Sequence, residues 1–120
     1  NSLHMDLKDK DKIGKIISLR KKANLYYSTR SKVYKSFLEM ERNTYTGGAL
    51  SKKDKELIAI GISVVTNCES CMEWHIKQAI DADASHNEII EAIEVGIEMS
   101  GGLGTVAARF AMNVLEYYQK

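Results

Sequence analysis

The stretch Leu50-Ser51-Lys52-Lys53-Asp54-Lys55-Glu56-Leu57-Ile58-Ala59-Ile60-Gly61-Ile62-Ser63-Val64-Val65-Thr66-Asn67-Cys68-Glu69-Ser70-Cys71-Met72-Glu73-Trp74-His75 decides how this chain of 120 residues is read. Ser51 with Asp54 three residues on resembles a capping arrangement and predicts a helix over residues 52 to about 65. That helix is polar for one turn and then apolar almost all round, the pattern of a central, buried element. Gly61 inside it costs about 1 kcal/mol of helix propensity and predicts close approach of another backbone. Residues 57–65 form the longest mainly apolar run, far short of the roughly 20 needed to cross a bilayer. Thr66-Asn67 supplies a stop and a possible N-cap for a further helix over residues 68 to about 82.

Outward from this hairpin the whole sequence reads as helix. On the N-terminal side, residues 8–27 are lysine-rich with apolar Ile13, Ile16, Ile17, Leu19 and Ala23. Ser28 or Ser31 caps a second helix carrying Val33, Tyr34, Phe37, Leu38 and Met40, and Tyr45-Thr46-Gly47-Gly48 breaks the chain before Ser51. On the C-terminal side, Asp81-Ala82-Asp83-Ala84 is a polar turn. Ser85-His86-Asn87-Glu88 is a capping box with Ala84 and Ile89 as its hydrophobic staple. The helix it opens runs to about residue 99 with Ile89, Ile93, Gly96 and Ile97 on one face. Ser100-Gly101-Gly102-Leu103-Gly104 breaks it, and a last helix over residues 105 to about 118 carries Val106, Phe110, Val114 and Tyr117. Trp74, Met72 and Met99 read as core. No strand pattern or fixed-period repeat competes, and proline is absent. The expected fold is all-α: one domain of about six helices with the C-x-x-C at the N-terminus of a central helix. Asn1-Ser2-Leu3-His4 ahead of Met5 reads as a leader of foreign origin, so the domain is taken as 6–120.

Apolar residues make up 44% and charged residues 28%, the balance of a globular domain. Charge is asymmetric. Residues 1–50 hold eleven Lys/Arg and five Asp/Glu, or +6, and residues 51–120 hold six and eleven, or −5, which sum to the formal +1. A basic half with Tyr26, Tyr27 and Tyr34 could contact nucleic acid, but a solvated basic helix that docks on acidic surface is the better reading. Neither nucleic acid nor membrane is an expected partner. The N-terminus has no apolar signal segment, so a reducing cytoplasm is the expected compartment. There a C-x-x-C pair is catalytic or metal-binding more often than structural, because the tiny loop it closes removes little chain entropy.

Cys68 and Cys71 fall in the first turn of their helix, where unpaired N–H groups and the helix dipole favour a thiolate. His75 lies four residues beyond Cys71 on the same face, about 5–6 Å away at Cβ, and can take a thiol proton. A second cysteine can resolve a sulfenic acid or mixed disulfide. In an antiparallel hairpin Cys71 lies about 7 Å from the turn, His75 about 13 Å, and Glu56 roughly 16 Å down the other arm. A carboxylate there can orient the imidazole and raise its basicity. In one continuous rod Glu56 and Cys71 would stand about 22 Å apart, and no relay could form. Three other readings stay open. The same residues supply three zinc ligands with Glu56 or water as the fourth. The thiols could be an inert buried pair. Glu56 could be an ordinary first-turn glutamate. His86 reads as a surface residue of its capping box.

Glu56, twelve residues before Cys68, then Cys68-Glu69-Ser70-Cys71, then His75 four beyond, resembles the carboxymuconolactone decarboxylase-like family, and within it the AhpD type of alkylhydroperoxidase. The likeness covers roughly residues 31–118, including the glycine-containing segment 96–104. It implies an all-helical subunit in a homo-trimer or homo-hexamer, with disulfide-cycling peroxidase or disulfide reductase activity and neither cofactor nor metal. By the same resemblance Cys71 attacks, Cys68 resolves, and Glu56 with His75 forms the proton relay; the dipole alone would favour Cys68. A small peroxide or disulfide would be the substrate, and a dithiol or protein thiol the electron donor. Ser70 departs from the best-studied AhpD pattern, which has histidine there. A hydroxyl is a poor base, which weighs against fast peroxidase turnover more than against thiol–disulfide exchange. Decarboxylases of the same fold generally lack the cysteine pair, so a non-redox lyase is the second expectation.

Overall fold

The computed structural model describes residues 5–119, and the expected leader 1–4 lies outside them. The chain forms α1 (Leu7–Ser28), α2 (Lys32–Tyr45), α3 (Lys52–Val65), α4 (Glu69–Asp81), α5 (His86–Ser100) and α6 (Gly102–Tyr118). No strand occurs among the described residues. The all-α expectation holds, and the reason is visible at the helix starts. Asp6 and Asp9 form a reciprocal capping box on α1. Ser31, rather than Ser28, caps α2 by accepting the Tyr34 N–H at 3.1 Å. Ser51 accepts the Asp54 N–H at 3.0 Å. Ser85 and Glu88 form the box on α5 over a buried Ala84–Ile89 staple. The Glu88 carboxyl is held below the usual carboxylate range, first by the Ser85 backbone N–H and then by the Lys53 ammonium at 2.9 Å.

Two helix ends differ from the expectation. Asn67 is not the cap of α4; at φ 51 it turns the chain, and Cys68 becomes the N-cap. The expected break over residues 100–104 contracts to Gly101 at φ 65, with Gly102, Leu103 and Gly104 already helical. Gly104 is there for packing: a Cβ would fall 2.1 Å from Ser100 Oγ and 2.9 Å from Ile97 Cα.

Helices α3 and α4 form a hairpin on which α5 and α6 pack. Ile60 and Val64, Met72 and Ile76, Ile89 and Ile93, and Ala111, Val114 and Leu115 make the core, which α1 joins through Ile13. The close approach expected at Gly61 is to α5: a Cβ on Gly96 would lie 2.6 Å from the Gly61 carbonyl oxygen and 2.8 Å from Val64 Cβ. Burial is narrower than the apolar pattern implied. Helix α3 buries Ala59, Ile60, Ser63 and Val64 on one side and leaves Ile58, Ile62 and Val65 exposed on the other. Met99, expected in the core, is exposed, as is Val106, whose place on the inner face of α6 is taken by Ala107, Ala108 and Ala111. Helix α2 buries none of its residues. An apolar stripe broader than the face its neighbours cover leaves the remainder in solvent.

Candidate active site

The hairpin brings Glu56 and His75 into direct contact, 19 residues apart in sequence. His75 Nδ1 and Glu56 Oε1 are 2.7 Å apart, so the carboxylate fixes the imidazole orientation without an intervening group. The Nδ1 position is engaged, which leaves Nε2 as the nitrogen free to exchange a proton. Glu56 is 1% exposed and the His75 side chain 12% exposed. Burying a carboxylate this completely needs a charge-assisted partner on each oxygen. The second oxygen has one: Lys52, one turn earlier on α3, donates to Glu56 Oε2 at 2.9 Å. The i,i+4 spacing of Lys52 and Glu56 carried that signal in the sequence. Glu56 is thus a buried, doubly paired carboxylate and not a solvated first-turn glutamate.

Cys68 and Cys71 are joined as a disulfide, with Cα atoms 5.2 Å apart. As the N-cap, Cys68 Sγ also accepts the Cys71 backbone N–H at 3.2 Å, so a helix-terminal donor points at that sulfur. Both cysteines are half-buried. Among the described residues no group of three His, Cys, Asp or Glu is placed to hold a metal ion.

Residues outside the expected set complete the site. Tyr45, read from the sequence only as part of a break, packs its ring 5.0 Å from the His75 ring. Its hydroxyl is pushed above the usual phenol range, mainly by burial and then by the charges of Glu56 and Glu41. Beside it lies a cavity of about 280 Å³ walled by Arg42, Tyr45, Lys52, Glu56, Trp74 and Gln78. No local signal marks Tyr45, because only the turn of the chain between α2 and α3 brings it over α4. Trp74 is half-buried in that wall, with the Arg20 guanidinium 4.8 Å above its ring. His86 is exposed and pairs with Gln119, as expected of a surface residue.

A second buried carboxylate, Glu73, was not anticipated. It is fully buried, and it meets the Arg20 guanidinium from α1 and the Tyr118 hydroxyl from α6. The signal was available: Glu73 lies on the apolar stripe of Met72, Ile76 and Ala79, where a charge requires a partner. Burial, then the bond to Glu73, push the Tyr118 hydroxyl well above the usual phenol range.

Comparison with known proteins identifies the family and the fold. The carboxymuconolactone decarboxylase family profile matches residues 31–116. A protein of the cox locus of Paracoccus denitrificans, described as uncharacterized, is 38% identical over 81 residues, covering 68% of this chain and 73% of its own length. An alkyl hydroperoxide reductase AhpD from Anaeromyxobacter is 32% identical over 77 residues, covering 60% of this chain. The match spans only 41% of that longer protein. Among solved structures, a carboxymuconolactone decarboxylase family protein from Legionella pneumophila superposes with a TM-score of 0.83 at 25% identity, over 92% of this chain and 99% of its own. A Thermotoga maritima family member, described as possibly involved in antioxidative response, superposes with a TM-score of 0.78 at 28% identity, over 85% of this chain and 87% of its own. No described helix is long and apolar enough to cross a membrane. With a matched profile over most of its length and a shared helical architecture, the chain belongs to the carboxymuconolactone decarboxylase family.

Proposed function

We propose that this protein is a thiol-dependent oxidoreductase that reduces hydroperoxides or disulfides by cycling Cys68 and Cys71 in a reducing cytoplasm. The observation that carries the reading is a disulfide-forming pair one helical turn from a histidine whose Nδ1 is held by a buried carboxylate. Geometry of this kind favours acid–base chemistry at the second ring nitrogen. Likeness to AhpD proteins supports the same reaction class.

In the peroxidase cycle Cys71 attacks as the thiolate, having given its proton to His75. A sulfur–oxygen bond forms, the peroxide O–O bond breaks, and the alkoxide leaves as an alcohol with the proton from His75. Cys68 then attacks Cys71 Sγ, the sulfur–sulfur bond forms, and hydroxide leaves as water with the Cys68 proton. A dithiol donor reduces the disulfide and is itself oxidised to a disulfide, so one peroxide consumes one dithiol. The N-cap position of Cys68 supports this division of labour: a sulfur that accepts a backbone N–H is the better leaving thiolate when the donor attacks Cys71. Ser70 offers a hydroxyl but no base beside Cys71.

Pre-reduced protein supplied with a dithiol and an organic hydroperoxide should consume both in equal amounts. Cys71→Ser should abolish turnover, and Cys68→Ser should leave a single stoichiometric burst that ends at the sulfenic acid. Full turnover by Cys71→Ser would overturn the assignment. Substrate conversion that survives Cys68→Ala with Cys71→Ala would move the protein to the non-redox lyases of the family.

A further inference from the structure

We infer that the ring of Tyr45 is a positioning group of the site: it lies against the His75 imidazole and near the Lys52 ammonium, and so shields the bonds of Glu56 from water. The shielding is a matter of geometry alone, and its effect on turnover rests on the redox reading proposed above. The Tyr45 and His75 ring centres stand 5.0 Å apart, with the planes inclined at 41°. The Lys52 ammonium is 6.0 Å from the centre of the same Tyr45 ring. These two residues are the partners of Glu56, at 2.7 Å through His75 Nδ1 and 2.9 Å through Lys52 Nζ. One aromatic ring therefore borders both ends of the Lys52–Glu56–His75 chain. The cavity of about 280 Å³ is walled by Tyr45 and not by His75, so the Tyr45 ring stands between that opening and the imidazole.

The chain holds the ring there from both sides of the α2–α3 connection. Tyr45 is the last residue of α2, and Thr46 leaves the helix in an extended conformation. The Thr46 hydroxyl donates to the Arg42 carbonyl at 2.9 Å, and the Thr46 carbonyl accepts the Lys55 ammonium of α3 at 2.7 Å. The end of α2 is thus tied to the first turns of the helix that carries Glu56. Burial, and then the charges of Glu56 and Glu41, hold the Tyr45 hydroxyl above the usual phenol range, so the covering ring stays neutral. A hydrogen bond to a carboxylate is stronger where water is excluded. An imidazole whose Nδ1 bond is kept from water holds one orientation and one tautomer, with Nε2 as its free nitrogen. The flat ring does this work and the hydroxyl is not required for it.

Proton NMR on the full chain in its disulfide form tests this by reading how fast the His75 Nδ1 proton exchanges with water. The resonance is assigned by its loss in His75→Gln. Exchange should be slow in wild type and equally slow in Tyr45→Phe, and about ten-fold faster in Tyr45→Ala, where the covered bond opens to solvent. With an organic hydroperoxide and a dithiol, kcat of Tyr45→Ala should fall about 10-fold at unchanged KM, and Tyr45→Phe should restore it. A rapidly exchanging proton in wild type, slow exchange or a wild-type kcat in Tyr45→Ala, or a Tyr45→Phe that behaves as Tyr45→Ala would each overturn the proposal. Should Tyr45→Ala lose helical circular dichroism, Lys55→Met replaces it, because it releases the Thr46 carbonyl and keeps the ring. Exchange faster than wild type is expected there, and an unchanged rate overturns the proposal. Exchange is read without peroxide or thiol donor. A slow proton in a protein without turnover would therefore sink the redox reading alone, and a fast proton in an active protein would sink this proposal alone.

Discussion

Glu56 and Glu73 are both glutamates at or near zero exposure, and both are charge-paired, yet their partners differ in kind. Glu56 is held by the Lys52 ammonium and by His75 Nδ1, an imidazole whose second ring nitrogen is left unengaged by that bond. Glu73 is held by the Arg20 guanidinium and by the Tyr118 hydroxyl, which burial and then Glu73 push well above the usual phenol range. The first arrangement is the one proposed above to relay a proton. The second ties α1, α4 and α6 together. Burial of a carboxylate therefore does not by itself distinguish a tie between helices from a partner of an imidazole; the chemical type of its partners does.

The largest effect should come from breaking the tie. Glu73→Ala leaves Arg20 and the Tyr118 hydroxyl without their buried partner and should cost about 3–5 kcal/mol of stability. Denaturant melts check it, and an unchanged midpoint would mean that Glu73 is not a tie. Glu56→Gln should do the converse. It keeps the shape but removes the charge facing His75, and turnover should fall about 100-fold, within the range of a lost acid–base contribution. If Glu56→Gln instead loses stability and keeps turnover, the contrast between the two carboxylates is inverted.

Tyr118→Phe removes one arm of the Glu73 network and should cost about 2 kcal/mol at neutral pH. Its pH dependence is sharper. The folded Tyr118 hydroxyl titrates above its unfolded value, so its contribution is complete below the unfolded range near 10 and is lost as pH rises above it. Wild type should therefore lose stability faster than Tyr118→Phe between about pH 10 and 12. Parallel losses in urea melts across that range would remove Tyr118 from the network. The smallest effect is expected from Lys52→Met. Lys52 is partly exposed, so solvent screens its attraction for Glu56. Turnover should fall only a few-fold and Lys52→Arg should restore it. A loss as large as that of Glu56→Gln would make Lys52 an equal member of the relay.

The asymmetry between these carboxylates also marks how far the sequence could be read. Glu56 was found because its spacing to Cys68, Cys71 and His75 formed a pattern on two helices joined by a short turn. Glu73, two residues from Cys71, carries no such local pattern, because its partners Arg20 and Tyr118 lie 53 and 45 residues away. Tyr45 was legible only as a turn residue, although its ring packs against His75. Apolar periodicity placed the helix that carries Ile60, and Ile89 and Ile93, correctly in the core, but it also filled the core with Met99 and both sides of α3. Periodicity reports which residues can be buried, and not which face a neighbour covers.

By itself the sequence determined the six helices, most of their ends, and the placing of the cysteine pair at the start of α4. These rest on bonds between residues three or four apart, such as Ser51 to Asp54 and Ser85 to Glu88, which form wherever the helix lies. Only the tertiary structure decided which charge meets Glu73, which ring covers His75, and which apolar stripes remain bare on α2 and α3. Those outcomes depend on where helices cross, as at Gly61 and Gly96, and a crossing is set by the packing of many side chains at once and by no local run of residues.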